Sequence, residues 1–119
     1  MVVCAEYNHS VPPALKNLLD HFGPAEFAFK PSGIVTYSTG PFGGVRAGIH
    51  LREILADLGT TSIPAAFPIS QVQTSFDEKG TALNASYNQK VSLFLDSLEW
   101  YAAALKDARA TGTPSEALK

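Results

Sequence analysis

The sequence is poor in cysteine, in charge and in long apolar runs, and each scarcity closes off a class of protein. One thiol, Cys4, forms no intramolecular disulfide, and no other cysteine stands at metal-ligand spacing from it. Its place in an apolar stretch reads as a buried, inert thiol. The three histidines, His9, His21 and His50, fall at no ligand spacing either. No apolar run reaches the length of a membrane span, so no membrane is expected as a partner. The start, Met1-Val2-Val3-Cys4-Ala5-Glu6, has neither the basic residues nor the apolar core of a signal peptide. A cytoplasmic, reducing location is therefore expected. With 9 basic against 11 acidic residues the formal charge is −2, which argues against a surface that tracks nucleic-acid phosphates.

What is present suits one folded domain. In 119 residues, 45% are hydrophobic and 17% charged, enough to bury a core without staples. Elements alternate along the chain. Val2-Val3-Cys4 reads as a short strand, apolar throughout as in a parallel sheet covered on both faces. Ser10 is placed to cap a helix with Pro12 and Pro13 in its first turn, where missing amide protons cost little. Leu15, Leu18, Leu19 and Phe22 share one face of that helix, and Gly23-Pro24 is expected to end it. Residues 34–37 read as a second strand. Gly43-Gly44 opens a second helix with Ala47, Leu51, Ile54, Leu55 and Leu58 inward and Gly59 as its stop. Residues 62–69 read as an edge strand, because Pro64 and Pro68 deny it a full ladder. A turn at residues 76–80 leads to a long helix from about Asn84, with Val91, Phe94, Leu95, Leu98, Ala102 and Leu105 inward. Residues 1–108 form the domain and 109–119 a flexible tail. This order of elements predicts an α/β three-layer fold on a parallel sheet.

Two loops carry the functional signal. Glu6-Tyr7-Asn8-His9-Ser10-Val11-Pro12 runs from the first strand into the first helix. Ser38-Thr39-Gly40-Pro41-Phe42-Gly43-Gly44 runs from the second strand into the second helix. Strand-to-helix turns on consecutive strands form the rim of a ligand crevice at the strands' carboxyl ends. Together the loops resemble those of the NADPH-dependent FMN reductase family, a flavodoxin-like branch that includes azo, quinone and chromate reductases. The resemblance covers roughly residues 2 to 105.

It implies FMN as cofactor, NADPH or NADH as electron donor, a small-molecule electron acceptor, and a homodimer or homotetramer. It carries flavin contacts over to Glu6, Tyr7 and Asn8, with Ser10 in the same loop, and to Ser38, Gly40, Gly43 and Gly44. Glycines at these positions are expected to let backbone amides approach the ring closely, and the Ser38 hydroxyl adds a hydrogen bond. No protein nucleophile is implied, because the flavin ring itself accepts and releases hydride. The chain departs from the family pattern at Ala5, where proline is usual, and at Pro13, where glycine is common. The resemblance also sets the first strand here against the family's third. The sheet is thus expected to be incomplete, an N-terminally truncated domain holding counterparts of strands 3, 4 and 5. A phosphate-binding loop after a first strand is then missing, and FMN binding by this chain alone is expected to be weak or absent.

Simpler readings stand beside these. A glycine-rich turn after a strand is most often a plain connection, and Tyr7 alone reads as a packing residue. Lys16 and Asp20 suit a surface ion pair. Arg46 reads as a solvated helix residue, with a cofactor phosphate or ribose as its other use. A Ser-His-Asp hydrolase built on Ser10 or Ser38 has no nucleophile elbow. Trp100 and Tyr101 suit a core or an interface. Two other functions remain open: a non-catalytic remnant or interaction module, and a flavodoxin-like electron carrier.

Overall fold

Alternation of short apolar strands with amphipathic helices gives three parallel strands between two helical layers. The computed structural model describes residues 1–114. Strand β1 (Val2–Ala5) leads through helix α1 (Pro13–Leu19) and the single turn α2 (Pro24–Phe27) to β2 (Pro31–Tyr37). Helix α3 (Val45–Asp57), β3 (Thr61–Ile69), a 3-10 turn (Val72–Thr74) and the long helix α4 (Ser86–Ala110) follow. The strands lie in the order β1-β2-β3, all parallel, with β2 central and buried along its length. The expected α/β fold of flavodoxin-like kind, built on an edge strand at residues 62–69, is what the chain adopts.

Neighbouring residues of a strand point to opposite faces, so Ile34 and Val35 serve different cores. Ile34 packs with Cys4, Leu19, Leu51 and Leu55 beneath α1 and α3. Val35 packs with Ile63 and Phe94 beneath α4, joined by Phe67, Ile69, Leu98 and Tyr101. Burial raises the pKa of the Cys4 thiol. Gly33 fixes how closely α4 approaches the sheet: a Cβ there would stand 2.9 Å from Phe94 Cζ and 3.1 Å from Leu98 Cδ2.

Several local expectations need correction. Ser10 does not cap α1. It closes a tight turn with Tyr7, and its hydroxyl lies 3.0 Å from His50 Nδ1. The helix starts after Pro12, without a side-chain cap. Gly23-Pro24 does not simply end a helix, because Pro24 begins α2 and the Gly23 amide donates to Glu26 Oε2 at 3.0 Å. Leu18 on α1, Phe22 just after it and Leu95 on α4 are exposed, since no described element covers them. Helix α4 runs to Ala110, past the expected boundary at 108, and Arg109 Nη1 donates to the Phe29 carbonyl at 2.6 Å. Residues 115–119 of the expected tail lie outside the described residues.

Two outcomes follow from this packing. Gly33→Val should force α4 off β2 and lower stability by about 1–3 kcal/mol, read from urea denaturation. The turn ending in Gly80 (φ +81°) is held by Asp77 Oδ1, which accepts from the amides of Thr81 at 2.8 Å and Lys79 at 2.9 Å. These bonds, the Thr81 amide foremost, hold the Asp77 carboxyl below its ordinary pKa. A lowered carboxylate stabilises above the unfolded pKa and loses that effect as pH falls through the folded one. In an NMR titration the Thr81 and Lys79 amide shifts should move only below the ordinary aspartate range.

Candidate functional site

The two loops meet beyond the carboxyl ends of β1 and β2, and Glu6 joins them. Its main chain continues the ladder, the Glu6 amide donating to the Tyr37 carbonyl at 3.2 Å. Its side chain crosses to the start of α3. Oε2 accepts from the Arg46 amide at 3.0 Å and the Ala47 amide at 3.2 Å, while Arg46 Nη1 lies 3.4 Å from Oε1. Helix α3 begins after Gly44 and has no cap from its own N-cap residue. A carboxylate there meets both the unpaired amides and the positive end of the helix. The Glu6 side chain is 12% exposed and that of Arg46 39%, so Glu6 is committed to the protein while Arg46 still reaches solvent.

The first loop is a two-residue reversal. Tyr7 and Ser10 exchange both backbone hydrogen bonds, at 2.9 and 3.0 Å, and Asn8 (φ 48°) and His9 (φ 67°) occupy left-handed conformations between them. Consecutive positive φ values of this kind define a type I′ turn, which asparagine tolerates well. The second loop is tied to the chain after β3. Ser38 donates its amide to the Ile69 carbonyl, Val72 donates to the Ser38 carbonyl, and Gln71 donates to the Gly40 carbonyl. Thr36 Oγ1 donates to the Gly43 carbonyl at 2.7 Å.

Between the loops lies an open groove of about 410 Å³ lined by Glu6, Asn8, His9, residues 38–42 and Arg46. That volume is within the range of small-molecule sites, about 300–1,000 Å³. The structure therefore brings Glu6, Asn8, Ser38 and Gly40 together. Tyr7 and Ser10 do not line the groove; Tyr7 is exposed and Ser10 faces His50.

Gly43 and Gly44 are required by the fold itself. Both have positive φ, 62° and 77°. A Cβ on Gly43 would meet the Ile69 backbone and Pro68 Cβ at 3.0 Å, and one on Gly44 would meet Thr36 Cβ and the Tyr37 carbonyl at 3.1 Å. They seat the loop on β2 and β3. Gly40 differs, since the nearest atom to its Cβ position is Ser38 Oγ at 3.8 Å.

Sequence reasoning missed five lining residues. Thr39, Pro41 and Phe42 sit inside a loop already singled out, and His9 sits beside Asn8. Arg46 was assigned to a solvated face; its guanidinium instead stands over the Phe42 ring, 5.6 Å from the centroid, at the groove's rim. An arginine two residues after a double glycine at a helix start was the available signal.

A parallel α/β sheet with a groove beyond its strand ends is the arrangement of the flavodoxin-like class. The chain belongs to the NADPH-dependent FMN reductase family, whose profile matches residues 1–74. It is 34% identical over 106 residues to an NAD(P)H-dependent FMN reductase of Pseudomonas aeruginosa, covering 85% of this chain and 57% of that protein. It is 30% identical over 115 residues to a 2-hydroxy-1,4-benzoquinone reductase of a Burkholderia species, covering 92% of this chain and 61% of that one. A quinone reductase of Escherichia coli K12 is 44% identical over 61 residues, covering 49% of this chain and 32% of that protein. The chain thus spans about three fifths or less of these curated relatives.

The Glu6 clamp makes a direct prediction. Glu6→Ala leaves two helix-start amides without their charged acceptor and should cost about 2 kcal/mol in denaturant unfolding. Glu6→Gln keeps an acceptor but not the charge and should cost about half as much.

Proposed function

We propose that this chain forms the ring-binding side of an FMN-dependent NAD(P)H oxidoreductase that passes electrons to a small acceptor. A quinone, azo compound, metal oxyanion or free flavin is the acceptor class. The observation that carries this reading is the convergence of Glu6, Asn8, His9 and residues 38–42 on one groove, fixed by the Glu6 carboxylate. A bound flavin would supply two-electron transfer on its own ring.

The groove suits the edge of a planar heterocycle. Among the described residues no protein group accepts from the Thr39 or Gly40 amide. Both remain free to donate to ring oxygens or nitrogens. Asn8 adds an amide side chain, and Ser38 a hydroxyl that bonds only loosely to the Gly40 carbonyl at 3.3 Å. The same residues offer no cradle for a phosphate. The start of α3, the natural anion site, is filled by Glu6, and the Arg46 cation beside it is ion-paired with that carboxylate. The residues therefore fit the isoalloxazine ring and leave the phosphate of FMN unheld.

Assembly as a homodimer or homotetramer belongs to the same proposal, with exposed Leu18 on α1, Phe22 after it and Ile49 on α3 offering apolar contact. A cytoplasmic location is proposed with it, supported by the nicotinamide donor and the lone buried thiol. No helix among the described residues is long and apolar enough to cross a membrane.

Fluorescence titration of the purified chain with FMN and with riboflavin tests the reading. Both should bind with millimolar-like constants that agree within about threefold, because the phosphate makes no contact. Gly40→Val, which the backbone accommodates, should weaken both about tenfold or more. An FMN affinity far above that of riboflavin would place the phosphate on these residues. Binding unchanged by Gly40→Val would remove the ring from the groove.

A further inference from the structure

Reduction of a quinone by hydride leaves a proton to be supplied. The hydride, derived from NAD(P)H by way of the flavin, brings two electrons and one proton to one carbonyl oxygen. The ring becomes aromatic and the other carbonyl oxygen is left as a phenolate. A second proton, from an acid beside that oxygen, completes the hydroquinone.

Among the described residues three ionisable side chains line the groove: Glu6, Arg46 and His9. Two of them are engaged with each other. Glu6 accepts from the Arg46 and Ala47 amides and pairs with the Arg46 guanidinium. A guanidinium gives up no proton in proteins. The third is unengaged. His21 bonds the Asn17 carbonyl at 2.7 Å and His50 bonds Ser10 Oγ at 3.0 Å, whereas the His9 ring has no hydrogen-bond partner among the described residues. Imidazole is the side chain suited to exchange a proton between about pH 5 and 8. The titratable and charged groups around it are the Glu6–Arg46 pair across the groove and His50, which reaches from α3 to the next residue of the loop.

The backbone gives an independent reason. His9 is the second central residue of the type I′ turn, at φ 67°. That turn favours Asn-Gly, because glycine reaches positive φ without a Cβ penalty. Asn8 is present, yet histidine follows it where glycine would cost less. A side chain kept in a left-handed conformation beside a ligand groove points to a use for the side chain itself.

We propose that His9 is the catalytic acid of this groove, a role that rests on the flavin reading above. Its imidazolium N–H donates to the acceptor oxygen that the hydride does not reach. The N–H bond breaks as the O–H bond forms, the imidazole is left neutral, and solvent returns the proton before the next turnover.

His9→Gly removes the ring and suits the turn, so the fold should hold. Imidazole NMR of the 119-residue chain with millimolar FMN tests the contact, with 4-nitrophenol standing for the reduced acceptor. The His9 titration midpoint should rise by about half a pH unit or more on adding the phenol, while that of His21 stays. The ring-proton signals of the phenol should show it ionising at lower pH, and His9→Gly should abolish that change. In NADPH oxidation with a 1,4-naphthoquinone, the parent rate above that of free FMN should fall as pH rises through the imidazole range. His9→Gly should be slower about tenfold or more near pH 6, and added imidazole should restore the rate. A His9 ring indifferent to the phenol, a parent no faster than free FMN, or a variant with the parent's rate and pH profile overturns the proposal. The flavin reading survives those results if the Thr39 and Gly40 amide signals shift with FMN. Amides indifferent to FMN overturn both.

Discussion

A single carboxylate holds the two halves of the groove in register. Glu6 leaves the end of β1 and places its oxygens on the first amides of α3, forty residues away in sequence. Without that bond α3 would start with unpaired amides, and the loop before it would lose its anchor to the loop after β1. An internal anion at a helix start leaves no room there for an external one, so this helix start serves to build the groove.

The second loop shows the same economy. Its glycines at 43 and 44 are required by Ile69, Thr36 and Tyr37, all of them protein neighbours. Its carbonyls at Ser38 and Gly40 are tied to Val72 and Gln71, and Gln71 itself adopts a left-handed conformation (φ 46°) to reach Gly40. The segment after β3 therefore acts as a buttress for a loop that belongs to β2. Among the described residues the amides of Thr39 and Gly40 have no protein acceptor.

Sheet, helices and most of the buried stripe were legible because periodicity reports burial directly. Ala47, Leu51 and Leu55 recur at helical spacing and are fully covered, and Pro64 with Pro68 marked an edge. Ser10 misled because hydroxyl capping is a local rule, and a turn closed by Tyr7 and Ser10 overrode it. Leu18, Phe22 and Leu95 fit the helical pattern but are exposed, since a pattern shows which face is apolar and not what lies against it. The loops were legible as a pair of chemical surfaces. Their division of labour was not, because whether a glycine faces a ligand or a strand depends on distances the sequence does not contain. Arg46 was read as solvated for the same reason.

The slip in β3 has a consequence for how the strand tolerates change. Two extra residues lie between the partners of Ser32 and Ile34, and an even number restores the alternation of side chains once the ladder resumes. Ile63 at the start of the bulge and Phe67 and Ile69 after it therefore all reach the layer under α4, while Ala66 returns to the side of α3. The bulge works as a parity-conserving spacer. A loss of one residue there would turn Phe67 and Ile69 outward together, whereas a loss of two would shorten the strand and leave every side chain on its own side. Length variation at this edge is thus quantised in pairs, and the aromatic layer built on Phe67 sets the unit.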